Sequence, residues 1–224
     1  MTNESYQQSY TKSTEKEKRN RPRDLKNLNI VIANYVTEEI LNKPMQVYGI
    51  DVIAAPEKIT SYNPYEILYV DIKTTDKDYR QLFVFELYEQ PVSFKKRYKS
   101  WSYRIKTINS LQKNFYIAFT DGKKVTMIQS INMLPVLEEI ENNRPDMIKR
   151  YLEKSKDEDK EDKWKWIIEL EQNSPYFKAM KPALFKIENE KVTDAIRYDN
   201  PRTNNKLVFP KKRRNNKYYY PVKR

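Results

Sequence analysis

Apolar positions first recur at helical spacing at Leu25, Leu28, Ile32, Tyr35 and Val36, which predicts a helix opened by Asp24 as N-cap and closed by Pro44. Glu38 and Glu39 fall at the end of that helix. Residues 47–54 and 67–74 then read as strands, joined by the polar, Pro-containing segment 56–64, and residues 82–88 read as a third. The run 67–73 is almost unbroken in its apolar character, as expected of a strand covered on both faces. Residues 93–111 return to helical spacing, with Phe94, Tyr98, Trp101 and Ile105 on one face. Residues 114–119 and 123–128 flank an Asp121-Gly122 turn, the mark of a hairpin. The predicted order is helix, three strands, helix, two strands.

Beyond the hairpin, residues 133–152 predict a helix that Pro145 breaks or kinks. A charge-dense stretch, 154–163, leads to Trp164, Ile167, Ile168 and Glu171, which read as a short amphipathic helix. Residues 175–200 are too weakly patterned to assign. Residues 1–23 contain no aliphatic side chain after Met1 and cannot bury enough apolar area to offset the entropy of ordering. The organisation expected is a disordered segment 1–23, an α/β domain with a helical C-terminal extension over 24–200, and a tail over 201–224. A chain of 224 residues suits one such domain with appendages better than two.

Composition narrows the chemistry. The sequence has no Cys and no His, which removes disulfides, thiol nucleophiles, His-based triads and ordinary zinc sites together. Catalysis would have to use carboxylates, Lys, Tyr, Ser or Thr, and any metal would be a hard ion held by oxygen. No run of about 18 apolar residues is present, and the first thirty residues lack the apolar stretch of a secretory signal. The expectation is a cytoplasmic protein with no membrane partner. A Lys- and Asn-rich, Gly-poor composition suggests a phage- or plasmid-encoded chain.

The +12 net charge is unevenly placed. Residues 202–224 hold nine Lys or Arg and no acid, and residues 1–24 hold six bases and four acids, so the 177 residues between carry only +1. Within 210–224, Lys211, Lys212, Arg213, Arg214 and Lys217 stand beside Tyr218, Tyr219 and Tyr220. Cations give salt-dependent phosphate affinity and aromatic faces stack on unpaired bases, so this arm is a candidate nucleic-acid interface for DNA, or equally RNA. The same residues also suit a solvated tail, an anionic membrane surface or an acidic protein partner.

Asp71 and Lys73 lie two apart on a predicted strand and so project from one face, with Val70 and Ile72 on the other. Glu86 interrupts another apolar run, and Asp51 another. Charged groups are seldom fully buried without a partner, because desolvation costs several kcal/mol or more per ion. Two explanations fit: the strands end at the surface in ordinary ion pairs, or Asp51, Asp71 and Glu86 converge on a divalent cation with Lys73 beside it.

The segments Gly49-Ile50-Asp51-Val52, Tyr69-Val70-Asp71-Ile72-Lys73-Thr74 and Phe83-Val84-Phe85-Glu86 resemble the acidic core of the PD-(D/E)XK nuclease superfamily, in its small phage and bacterial members. The resemblance covers roughly residues 25–130. It implies a restriction-endonuclease-like mixed sheet flanked by helices, and Mg²⁺- or Mn²⁺-dependent hydrolysis of phosphodiester bonds in DNA. It assigns Asp51 as the first acid, Asp71 and Lys73 as the acid-x-Lys pair, and Glu86 as a third or water-mediated ligand. Glu38 or Glu39 would match an acid of the preceding helix, and Trp101 a nearby aromatic. Lys73 would orient or help deprotonate the attacking water and stabilise developing charge. The alternatives are a catalytically inactive nucleic-acid-binding accessory protein of the same fold, or an interaction protein acting through its basic tail.

Overall fold

The computed structural model describes residues 15–33, 35–39, 49–56, 67–74, 82–107, 114–155 and 160–197, together with the backbone of 211–212 and 218–219. Helix α1 (Glu15–Val31) begins well before Asp24, within the segment expected to lack structure. Asp24 is therefore not an N-cap but an interior helical residue, 1% exposed. Its carboxylate accepts from the Arg23 guanidinium at 2.8 and 2.9 Å and from Thr74 Oγ1 at 2.5 Å, which ties α1 to the end of the third strand. The helix also stops earlier than its apolar spacing predicts. Tyr35, Val36 and Thr37 favour extended backbone, and they pair as β1 (Tyr35–Glu39) with β2 (Val52–Pro56). Glu38 and Glu39 accordingly lie on a strand and not on a helix.

The architecture is α/β, with a mixed, curled sheet and few helices. Seven strands run in the spatial order β1, β2, β3 (Leu68–Thr74), β6 (Phe115–Thr120), β7 (Lys124–Gln129), β10 (Ala183–Glu188), β11 (Lys191–Arg197). The β3–β6 pair is parallel, with Asp71 opposite Ile117 and Lys73 opposite Phe119; every other pair is antiparallel. A parallel pair needs a crossover, and here the crossover supplies two of the four strands of a second sheet. That four-stranded sheet has the order β5 (Tyr98–Lys99), β4 (Leu82–Pro91), β9 (Lys163–Glu171), β8 (Ile148–Glu153). Helix α2 (Trp101–Arg104) follows β5, and α3 (Ser130–Asn143) follows the 115–129 hairpin.

Two cores result. Phe83, Phe85, Leu87, Ile117, Phe119, Ile168 and Leu170 fill the first with Met133, Leu137 and Ile140 of α3 and Phe177 of α4 (Pro175–Ala179). Phe83 stacks on Phe177 at 4.2 Å and meets Phe119 edge-on at 5.2 Å. The second core lies under α1, where Leu28 and Ile32 cover Val52, Val70, Ala118 and Val125. Strand β3 is therefore covered on both faces, as its apolar run predicts.

Three expected helices are corrected. Residues 93–107 form an exposed turn, the short β5, one helical turn and a 3-10 turn, because Tyr98 and Lys99 pair with the edge of β4, and 108–111 lie outside the described residues. The helix expected over 133–152 ends at Asn143. Arg144, which precedes Pro145, leaves helical geometry (φ −136°, ψ 54°), and the chain continues as β8. Residues 164–171 belong to the strand β9, because Lys163-Trp164-Lys165-Trp166 alternates with a period of two. The supposed helical extension thus supplies two strands to each sheet.

Candidate active site

Asp51 stands immediately before β2, where its N–H donates to the Val70 carbonyl at 2.9 Å. Its Oδ2 accepts the Ile72 N–H at 2.8 Å, and its Oδ1 faces both terminal nitrogens of Arg21 at 3.4 Å. Asp71 is 2% exposed in the middle of β3 and Lys73 follows on the same face, with Nζ 2.9 Å from Asp71 Oδ1. The Lys73 ammonium also lies 4.7 Å from the centre of the Trp101 ring. Helix α1, strands β2 and β3 and the start of α2 together aim two acids, two cations and an indole at one point.

The electrostatics follow from burial. Desolvation pushes the Asp71 carboxyl up to about 8; Lys73 opposes the rise, and Asp51 adds to it by charge and as a hydrogen-bond partner. The two acids therefore converge. Asp71 Oδ2 is buried without a hydrogen-bond donor. It lies against Gly49, whose φ of +79° shapes the approach to Asp51, and a Cβ there would sit 3.3 Å from that oxygen. Such an oxygen is satisfied by a proton shared with Asp51 or by a cation. Burial pulls the Lys73 ammonium down, yet the charges of Asp71, Asp51 and Glu86 outweigh it and hold Lys73 above its usual value. The raised value favours the charged form, which suits Lys73 to orienting water and stabilising anionic charge.

Glu86 comes from the second sheet and is turned elsewhere. Its carboxylate accepts from Ser100 Oγ and from Lys165 Nζ, both at 3.1 Å, and Lys165 also bridges to Glu153 at 2.9 Å. It reaches the site as a charge acting on Lys73. Among the described residues, no group of three or more acids is arranged to hold a metal ion. The three-acid set Asp51, Asp71, Glu86 is thus present as a converging pair with Glu86 engaged by its own lysine. The pair still fits a hard cation, since Mg²⁺ is commonly bound through one or two carboxylates plus water and phosphate oxygens. The orphaned Asp71 Oδ2 is a ready ligand.

Sequence reasoning missed Arg21, Ser100 and Lys165. Arg21 lies in the segment read as structureless, and the latter two belong to stretches read as helices. The side chains of Glu38, Glu39 and of Lys211, Lys212, Arg213, Arg214, Lys217, Tyr218, Tyr219 and Tyr220 lie outside the described residues. For the arm, only the backbone pairing of Lys211–Lys212 with Tyr218–Tyr219 is described. No helix among the described residues is long and apolar enough to cross a membrane. No protein-family model, curated protein or solved structure matches the chain.

Proposed function

We propose that the protein is a metal-dependent, endonuclease-like enzyme that hydrolyses phosphodiester bonds in DNA, centred on Asp51, Asp71 and Lys73. The observation that carries this reading is the convergence of two carboxylates beside a protonated lysine, with one buried carboxylate oxygen lacking a donor. The chain order supports it as well. Asp51 directly precedes β2 and Asp71-x-Lys73 lies on the neighbouring β3, the acid-then-acid-x-Lys placement that the resemblance to PD-(D/E)XK nucleases implies, while β4, which carries Glu86, and β5 intervene before α2 and belong to the second sheet.

Asp51 and Asp71 would hold the Mg²⁺ or Mn²⁺, which when bound supplies polarisation of the phosphate and an activated water. The chain's own residues account for the rest. The Ile72 N–H and Arg21 fix the Asp51 carboxylate. Lys73, held against Trp101 by the ring's negative face, presents its ammonium to a pentacoordinate phosphate. Glu86 reinforces the charge on Lys73 without being a ligand.

One observation favours a second reading, a DNA-binding accessory protein without chemistry: Arg21 and Lys73 already offset Asp51 and Asp71. Purified protein assayed on plasmid, linear and branched DNA with Mg²⁺, Mn²⁺ or EDTA decides between them. Cleavage with either metal and none in EDTA is expected, and binding without cleavage in every condition would leave the accessory protein.

A further inference from the structure

Residues 92–107 contain six Lys or Arg, four aromatic rings and no acid, in a central region whose net charge is only +1, so that the rest of that region carries −5. A helix here would have packed Phe94 and Tyr98 beside Trp101. In the fold, residues 92–99 form an exposed loop and strand edge, Phe94 and Tyr98 are 47% and 45% exposed, and the two rings meet edge-on at 6.3 Å. Lys95, Lys96 and Lys99 are exposed and make no ion pair with a described residue.

The backbone beneath these side chains is held firmly. The N–H groups of Val92, Ser93 and Phe94 donate at 3.0 Å to the Asp162 carbonyl, the Glu161 carboxylate and the Pro91 carbonyl, and the Gln90 amide donates to the Phe94 carbonyl. Exposed cations and half-exposed rings thus stand on a preorganised support, which lowers the ordering cost of binding. Arg97 carries the pattern onto the second sheet, lying 4.0 Å over the Tyr88 ring, and two residues beyond Tyr98 the chain reaches Ser100 and Trp101 of the candidate site.

We propose that the 92–99 loop binds single-stranded DNA, with Phe94 and Tyr98 stacking on unpaired bases and Lys95, Lys96 and Lys99 meeting phosphates. Cations alone would suit any polyanion. Two half-exposed rings interleaved with unpaired cations select one that also offers flat apolar faces. The inference rests on the proposed function only in taking DNA as the ligand, and it leads the strand toward Trp101 and Lys73.

The test measures binding of full-length protein to a fluorescent oligothymidylate and to a duplex of equal length, in EDTA at several salt concentrations. Replacing both rings (Phe94→Ala with Tyr98→Ala) is expected to weaken single-strand binding about 30-fold or more, as for two lost stacked bases, and duplex binding far less. Replacing Lys95, Lys96 and Lys99 by Ala is expected to reduce the salt slope by about 2, at about 0.7 per single-strand contact. An iodouracil-substituted oligonucleotide should photo-crosslink to Phe94 or Tyr98, a readout that the basic tail does not obscure. Single-strand binding unchanged in the ring variant, with no crosslink in 92–99, overturns the assignment and leaves the proposed function standing. Equal losses for single strand and duplex overturn the stacking. Wild-type protein that binds neither DNA at low salt overturns both the loop assignment and the function.

Discussion

Lys73 Nζ bonds Oδ1 of Asp71 at 2.9 Å, while Oδ2 of the same buried carboxylate meets no donor. One oxygen is neutralised by the chain and the other is left for something else. Asp71→Asn should therefore abolish DNA cleavage, by at least about 100-fold for loss of a metal ligand. DNA binding should be kept, and slightly tightened above about pH 8, where the wild-type carboxylate carries its negative charge near phosphate. Cleavage rates and binding isotherms on the same substrate check this, and undiminished cleavage by the Asn variant would remove Asp71 from the site.

The same carboxylate makes metal-free stability depend on pH. With its ordinary value near 3.8 raised to about 8 by burial, folded Asp71 holds a proton that the unfolded chain releases. The contribution of Asp71 to stability is then fully present below about pH 4, is lost as pH rises toward 8, and changes no further above. Denaturant titrations in EDTA across this window should show the decline, and Asp71→Asn should flatten it. Mg²⁺ should raise the melting temperature of wild type at pH 8, and that of the Asn variant much less.

Gly49 is a structural test of how the two acids are brought together. Its φ of +79° costs any L-residue about 1–2 kcal/mol, and a methyl group would arrive 3.3 Å from Asp71 Oδ2. Gly49→Ala should lower stability by about that amount in urea unfolding. It should weaken Mg²⁺ binding by more than the stability loss alone explains, since the added atom presses on the proposed ligand oxygen.

The site was largely legible in sequence because its signal is local: charges two apart in an apolar strand share a face whatever the rest of the chain does, and Asp71 and Lys73 do. The destination of β4 was not legible. The run around Glu86 shows that it is a strand but not which sheet it joins, and that depends on β9, where Trp164, Ile167, Ile168 and Glu171 fall at helical spacing and mask the alternation of the strand. Glu86 pairs with Lys165 only because β4 and β9 are neighbours, so one misread period hid both the second sheet and the lysine that holds Glu86. Tyr35-Val36-Thr37 failed for the converse reason: a helical apolar spacing gave way to the pairing of β1 with β2.

The basic arm separates affinity from catalysis. Nine of the cations lie in residues 202–224 and the centre of the chain is nearly neutral, so most of the sequence-independent attraction for duplex DNA should come from the arm. If four of those charges meet phosphates, deleting residues 205–224 should reduce the slope of log K against log salt by about 3 to 4, at about 0.9 per duplex contact. Binding at moderate salt should fall steeply. Turnover at low salt and saturating substrate should persist, because the deletion removes neither Asp51, Asp71 nor Lys73. A solvated tail predicts no change in either quantity, and a tail that contributes to catalysis predicts loss of turnover even at saturation. Isotherms and single-turnover rates for the two chains, measured over the same salt series, distinguish all three: equal slopes would assign the arm a partner other than DNA, and the 92–99 loop would then have to supply the phosphate contacts.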